Sequence, residues 1–395
     1  MCDLVKILVI CQYYSPEPFR VADICEALVR EGNEVDVVTS FPNYPNGEIY
    51  ADYKGGKHKD EIMNGVNVHR VFTIGRKNNV LFRVLNYYTY VISSTFYVNK
   101  LRDDYDTVFI YQLSPVMMAN AAIKYKKKHG KRIVLYCLDL WPDSLSIGGI
   151  KKGSFIYKFF EKISVKVYKS ADKILVSSKS FVKKISEMCS INEDDIIHLP
   201  QYAEDVFKPV EIEKESGINL TFAGNIGTAQ DVKTIIRAAA ILKGSDVKFH
   251  IVGDGAELDN VKKFAKQLNV DNVKFYGRRP IEEMNKIYGI SDAMLVTLSD
   301  DDVLSMTFPG KVQSYMAAGK PVIGAINGET ARIIEEAQCG FCAASEDEKG
   351  LVDCINKFIQ SDTEELGKNA LIYYAKNFGK EKFIKELNKE IQKQI

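Results

Sequence analysis

Between Asn219 and Gly328, four segments each meet a glycine turn. Leu220-Thr221-Phe222-Ala223 runs into Gly224-Asn225-Ile226-Gly227, and Phe249-His250-Ile251-Val252 into Gly253-Asp254-Gly255. Val273-Lys274-Phe275-Tyr276 runs into Gly277-Arg278, and Ser305-Met306-Thr307-Phe308-Pro309-Gly310-Lys311 opens a helix that stops at Gly319. A strand that ends in glycine at a helix start lets backbone N–H groups and the helix dipole approach a pyrophosphate. Pro309 suits a first helical turn and Gly319 a helix end. One such turn is common. Four in order read as a nucleotide diphosphate site.

A second group could handle a hydroxyl. Asp139 and Asp143 flank Trp141, the only tryptophan, just past the apolar run Ile133–Tyr136. Carboxylates at the carboxyl end of a parallel strand face a crevice, where they can bind an acceptor hydroxyl or take its proton. The plainer alternative makes Asp139 a turn cap and Trp141 core. Glu17 and Arg20 follow the first strand on a loop stiffened by Pro16 and Pro18. Asp300-Asp301-Asp302 and Asp103-Asp104-Tyr105-Asp106 have the look of a metal-binding Asp-x-Asp. Both lie in polar loops, and a solvated or helix-capping role is expected, with no metal required.

The elements that must position these residues alternate. In the first half, short β-branched runs at 6–10, 34–39, 67–72, 107–111, 132–136, 173–177 and 196–199 read as buried parallel strands. Helical segments at 21–30, 82–101, 117–129, 155–169 and 180–188 lie between them. The second half repeats the scheme, with strands at 219–223, 247–252, 273–276, 293–296 and 321–324. Its helices are expected at 231–242, 256–268, 280–288, 309–318 and 329–337. The pattern predicts an α/β protein of two doubly wound sheets. The expected divisions are 1–200, 201–378, and a terminal amphipathic helix at 379–395 carrying Phe383, Ile384, Leu387 and Ile391 on one stripe. The hinge falls between Leu199-Pro200 and the charged run Glu211–Glu215.

Composition removes several classes. A hydrophobic content of 46% without repeats describes a globular chain throughout. No apolar run approaches the roughly 20 residues that span a bilayer, and the start lacks a secretory core. Eight scattered cysteines suit reduced core thiols in a cytoplasmic protein. Cys339-Gly340-Phe341-Cys342 has redox spacing without the strand-to-helix context. The first strand ends in Cys11-Gln12-Tyr13-Tyr14-Ser15-Pro16, not Gly-x-Gly-x-x-Gly, which speaks against a dehydrogenase.

With these motifs in hand, the chain resembles the retaining glycosyltransferases of family 4, which have the GT-B fold. The nearest branch is the bacterial O-antigen and capsule group, N-acetylfucosamine transferases included. The resemblance rests on Phe41-Pro42-Asn43-Tyr44-Pro45-Asn46-Gly47, Asp139-Leu140-Trp141-Pro142-Asp143-Ser144, Gly224-Asn225-Ile226-Gly227, and Lys311 with Tyr315-Met316-Ala317-Ala318-Gly319-Lys320-Pro321. It implies two Rossmann-like domains facing a central cleft, the first for the acceptor and the second for the nucleotide sugar. The family's diphosphate-binding basic pair falls on Asn225 and Gln230 here, its two carboxylates on Ser305 and Gln313, and its histidine on Leu138. The resemblance therefore leaves Lys311 to hold the phosphates, helped by the amides of Thr307 and Phe308. Arg278 would lie near the base, and Glu17, Arg20 and Trp141 near the acceptor. Transfer in this family is thought to run front-side, the departing phosphate taking the acceptor proton.

Charge adds a partner. Residues 1–200 hold 28 Lys/Arg against 22 Asp/Glu, while 201–395 hold 25 against 30. The excess gathers in aromatic, helix-period segments: Arg70, Arg76, Lys77, Arg83, Lys100 and Arg102, then Lys151, Lys152, Lys158, Lys162, Lys166 and Lys169. A third cluster is Lys124, Lys126, Lys127, Lys128, Lys131 and Arg132. Such helices suit an anionic membrane surface, so a peripheral enzyme on the cytosolic face, acting on an undecaprenyl-diphosphate-linked saccharide, is expected. The acidic second half argues against nucleic acid. The competing readings are a GT-B-shaped sugar-nucleotide epimerase and a non-catalytic nucleotide-sugar-binding protein.

Overall fold

The computed structural model describes residues 4–77, 79–214 and 216–393. Cys2, the end of the 211–215 run and the end of the C-terminal tail lie outside them.

The chain divides into two compact units, one running to Leu199 and resuming at Ile384, the other Pro200–Phe383. In chain order the first contains β1 (Lys6–Ile10), α1 (Val21–Arg30), β2 (Glu34–Ser40), β3 (Asp60–Met63), β4 (Val66–Val71) and α2 (Val80–Lys100). It continues with β5 (Thr107–Gln112), α3 (Asn120–His129), β6 (Arg132–Cys137), α4 (Ser144–Ile147), α5 (Phe155–Ser170), β7 (Lys173–Val176), α6 (Ser180–Cys189) and β8 (Ile196–His198). The sheet order is β3-β4-β2-β1-β5-β6-β7-β8. All its pairings are parallel except β3 with β4. Both faces of β5 and β6 are buried, which is why these strands read as continuous apolar runs. The β3 hairpin escaped the sequence reading because an edge strand of Asp60-Glu61-Ile62-Met63 buries little.

The second unit contains β9 (Ile218–Ala223), α7 (Val232–Ile241), β10 (Val247–Val252), α8 (Leu258–Gln267), β11 (Val273–Gly277), α9 (Ile281–Ile290) and β12 (Ala293–Thr297). Then come α10 (Asp302–Ser305), α11 (Gly310–Ala317), β13 (Val322–Ala325), α12 (Glu329–Glu336), β14 (Gly340–Ala343), α13 (Glu348–Ile359), α14 (Thr363–Asn377) and α15 (Lys380–Gln392). Its sheet, β11-β10-β9-β12-β13-β14, is wholly parallel, with buried apolar clusters built on Phe222, Phe249 and Leu295 and on Val296, Val312 and Met316. β14, α13 and α14 are additions to the sequence reading. Cys339 and Cys342 are free thiols at the start of β14, burial raising the first to about 12. Neither is a poised thiolate.

From Ile384 onward α15 packs in the first unit. Ile384, Leu387 and Ile391 are buried there, Asn33 donates to Asn388 (3.0 Å), and Arg132 pairs with Glu390.

Candidate functional site

Both sheets reverse winding direction beside their first strand, and a parallel sheet opens a crevice at the carboxyl ends of such strands. In the second unit the reversal lies between β9 and β12. The end of β9 is clamped by Tyr315 of α11, whose hydroxyl accepts from the Ala223 amide (3.1 Å) and donates to its carbonyl (2.9 Å). Gly224 then turns with φ +150°, and Gly253 at the end of β10 with φ +142°. A Cβ on Gly253 would fall 1.8 Å from the Gly224 carbonyl oxygen. Only glycine lets the two loops touch.

Against this turn lies Lys311. Its Nζ would be 2.7 Å from a Cβ on Gly224 and stands 4.0 Å from the Phe222 ring centroid. The amine is buried and has no hydrogen-bond partner among the described residues. Burial pulls it from 10.5 to about 7. Lys320, the other lysine of that motif, instead donates to the carbonyls of Ser291 (2.9 Å) and Gly289 (3.3 Å). An orphaned buried amine is costly unless an anion completes it.

The structure gathers most of the expected donor residues around this point. Gln230 accepts from Asn225 Nδ2 (3.0 Å) and from the Gly227 amide (3.2 Å), so the two residues at the family's basic positions brace the turn. Thr297 of β12 and Ser299 donate to the carbonyls of Gln230 and Thr228, a support the sequence reading missed. Pro309 caps α11, whose first-turn amides, Gly310 and Lys311, have no intrahelical acceptor. One expectation needs correction: the Thr307 amide and hydroxyl both donate to Leu304 and are not free for phosphate. Phe308 packs 5.1 Å from Phe378. Ser305 donates to Asp302, and Gln313 is buried, donating to the Gln201 carbonyl. Arg278 is exposed beyond edge strand β11, two strands from β9, and is not brought to Lys311. Asp301 caps α10 by accepting from Val303 and Leu304.

In the first unit the reversal lies between β1 and β5. Glu17 is buried and accepts from the amides of Tyr44 (2.7 Å), Asn43 (2.8 Å) and Tyr14 (3.3 Å). Burial raises its carboxyl to about 7, against those three amides. It binds the loop after β1 to Phe41–Gly47 instead of presenting itself to an acceptor. Arg20 sits beside it at the start of α1. Behind this loop runs a buried amide chain that the sequence reading also missed. Gln12 donates to Asn86 of α2 (2.8 Å), and Asn86 donates to Asn43 (3.3 Å) and Ile74 (2.7 Å).

Asp139 lies at the end of β6 and accepts from the Ser114 amide (2.8 Å), and burial raises its carboxyl above the ordinary range. Trp141 and Asp143 depart from expectation. The Trp141 ring is core: its Nε1 donates to Ser114 Oγ (2.9 Å) and its edge meets Phe160. Asp143 has no exposed side-chain surface and is enclosed by Lys184 (3.7 Å), Lys152 (3.8 Å) and Tyr157. It joins α4, α5 and α6, with no side-chain surface open to a ligand in this structure.

Two units so built, each with its crevice at a switch point, define the GT-B class of glycosyltransferase. Residues 204–378 match the family of glycosyl transferases group 1, and residues 19–201 match Glycosyltransferase Family 4. The chain is a glycosyltransferase of this group 1/family 4 type. "Probable glycosyltransferase WbjE" of Pseudomonas aeruginosa is 29% identical over 60% of this chain and 62% of its own length, so the match spans less than two thirds of that relative. WcaI of Escherichia coli K12, assigned provisionally to colanic acid biosynthesis as a glycosyl transferase, is 23% identical over 80% of this chain and 82% of its own. In fold, Anabaena Alr3699/HepE in complex with UDP and glucose superposes with a TM-score of 0.70 at 15% identity, covering 99% of this chain and 100% of that one. Sucrose-phosphate synthase of Thermosynechococcus elongatus gives 0.77 at 16% identity, covering 98% of each.

Proposed function

We propose that this chain moves a hexosyl or N-acetylhexosaminyl group, with retention, from a nucleotide diphosphate sugar to a lipid-linked saccharide. The carrier would be an undecaprenyl-type diphosphate and the pathway bacterial surface polysaccharide synthesis, of the O-antigen or capsule kind. UDP is the expected nucleotide, in keeping with the UDP complexes of the Anabaena structural relative. The observation that carries the reading is Lys311, an amine without a hydrogen-bond partner among the described residues, buried against the Gly224 turn where a diphosphate would complete it. With the first-turn amides of α11 it would take up charge on the departing phosphate. Asp139 would orient the acceptor hydroxyl. No metal is invoked in this scheme.

A lipid-borne acceptor is supported by the outer face of α2. Val80, Leu81, Val84, Tyr88, Ile92 and Phe96 form an exposed stripe, and Lys77, Arg83 and Lys100 accompany it without an acid between residues 70 and 102. Phe155, 87% exposed, opens α5 beside Ile156 and Phe159. Apolar side chains set among cations suit anionic lipid, and the protein would sit as a peripheral enzyme on the cytosolic leaflet. No helix among the described residues is long and apolar enough to cross a membrane. Some basic residues counted toward this surface are already paired with carboxylates. Arg70 pairs with Glu61, Lys126 with Asp172, Lys131 with Asp103, and Arg132 with Glu390.

The test is nucleotide release from a panel of nucleotide sugars, with and without lipid-linked saccharide. Release that requires both substrates supports transfer. Acceptor-independent conversion of the donor to an epimeric sugar would establish the epimerase, and nucleotide-sugar binding without turnover on any acceptor the non-catalytic protein.

A further inference from the structure

Arg76 differs from the other enclosed arginines of the first unit. Arg70 and Arg132 each have a carboxylate, Glu61 and Glu390. Arg76 is half-buried: burial opposes its charge, the hydroxyls of Tyr13, Tyr87 and Tyr44 favour it, and it forms no ion pair with an acid among the described residues. Its guanidinium carbon lies 5.8 Å from the Tyr44 ring centroid. Tyr44 in turn packs on Phe19 (5.2 Å) and Tyr13 (6.0 Å), and Tyr13 stacks on Phe19 (4.8 Å).

The loop that carries Arg76 is fixed from both sides. Its own amide donates to Asn43 Oδ1 (3.3 Å), the acceptor at the end of the Gln12–Asn86–Asn43 chain. The Lys77 amide donates to the Gly47 carbonyl (2.8 Å). A Cβ on Gly47 would stand 2.7 Å from Lys77 Cα, and one on Gly75 2.8 Å from the Gly47 oxygen, so both glycines are needed for the loops to lie together. This is a rigid mount for one cation. Two further charges lie close by. The Tyr87 hydroxyl, raised by burial, lies within electrostatic reach of Arg76, Arg83 and Asp139. Arg83 and Tyr87 are one helical turn apart on α2, whose outer stripe of Val80, Leu81 and Val84 is exposed.

We propose that Arg76, mounted among Tyr13, Tyr44 and Tyr87 and assisted by Arg83, binds a phosphate or diphosphate group on the acceptor. A guanidinium with no acid partner among the described residues, and already partly desolvated, can bind phosphate oxygens through two parallel N–H donors. The half-buried Tyr44 and Tyr87 supply further hydroxyl donors and ring surface for a sugar, while Tyr13, buried against Phe19, backs them. An anion held here would act, across Tyr87, within electrostatic reach of Asp139, the carboxylate proposed above to orient the acceptor hydroxyl. The tail beyond a lipid diphosphate would leave toward the apolar stripe of α2. A phosphate on a soluble saccharide would use the same donors without the stripe. The proposal rests on the reading of the protein as a transferase to a phosphate-bearing acceptor.

The experiment measures binding of a short-chain prenyl diphosphate and of inorganic pyrophosphate by calorimetry, with the donor site saturated by UDP. Wild type should bind the prenyl diphosphate, and Arg76→Gln should weaken it by about tenfold or more, with Arg76→Lys between, since a point charge replaces a fork. UDP affinity, measured separately, should not change. Arg83→Gln, at an exposed position, should weaken binding less and serves if Arg76→Gln does not fold. Equal wild-type affinity for pyrophosphate and prenyl diphosphate would assign the site to a soluble phosphorylated acceptor. Tighter prenyl diphosphate binding would assign it to a lipid carrier. Unchanged prenyl diphosphate and pyrophosphate binding in both folded variants, or none by wild type, would overturn the proposal. Failure of the transferase reading shows separately, as no sugar transfer by wild type to any phosphorylated acceptor while these anions still bind.

Discussion

The amine of Lys311 occupies the space that a side chain on residue 224 would need: a Cβ on Gly224 would lie 2.7 Å from Nζ and 2.9 Å from Cε. The glycine and the lysine are one device. Removing the side chain from the turn allows a cation from α11 to be buried against the backbone that would receive a diphosphate.

Lys311→Met should therefore act in opposite directions on binding and stability. Loss of a charge-assisted contact should weaken UDP binding by about 1.5–3 kcal/mol. Loss of an unpartnered buried amine, at nearly constant volume, should raise the stability of the ligand-free protein by about 1–3 kcal/mol. Calorimetry and denaturant unfolding read the two effects. Unchanged UDP affinity would remove Lys311 from the site.

The lysine also makes binding pH-dependent. Its amine titrates near 7 in the free protein, and a neighbouring diphosphate must raise that value. Above about pH 7 binding takes up a proton, so affinity should fall by up to about tenfold per pH unit, with heats that depend on buffer ionisation. Lys311→Met should flatten the profile. The sign for folding is opposite. The unfolded chain holds this proton up to 10.5, so the lysine's contribution to stability rises with pH between about 7 and that value.

Asp139 and Asp143 should separate. Asp139→Asn should lower turnover with UDP affinity intact. If Asp139 takes the acceptor proton, the acid limb of kcat/KM should lie above the ordinary carboxylate range and vanish in the variant. Asp143→Ala should instead lower stability by about 1–2 kcal/mol, since Lys152, Lys184 and Tyr157 lose their common partner. A turnover defect in Asp143→Ala at unchanged stability would place it back beside the acceptor.

Liposome binding should rise with anionic lipid fraction and weaken as salt screens charge over roughly 10 Å at 0.1 M. Leu81→Asp with Val84→Asp, both at exposed positions, should abolish it with thermal stability within about 0.5 kcal/mol of wild type. Salt-independent binding, or none, would mean that the stripe meets something other than lipid.

Transfer should persist in excess chelator, because Asp301 is occupied as the cap of α10. Abolition by chelator and rescue by manganese or magnesium would establish a metal-assisted route.

Sequence alone determined the two sheets and the donor turns because both are written locally. A strand buried on two faces must be apolar at nearly every position, as β1, β5 and β12 are. A backbone that turns at positive φ against another backbone must be glycine, as at 224 and 253. Local patterns say much less about where a polar side chain ends up. Asp139 and Asp143 are four residues apart in one motif, yet one stays at the carboxyl ends of β5 and β6 while the other is enclosed by α5 and α6. Glu17 becomes a brace because Asn43 and Tyr44, at the end of another strand, bring their amides to it. Arg76 and Arg70 belong to one basic run. Only the pairing of β3 with β4 gives Arg70 the carboxylate of Glu61, and only the loop after β4 leaves Arg76 among tyrosines. Charge and polarity are satisfied across the sheet, between residues tens of positions apart, and that pairing is decided by tertiary structure.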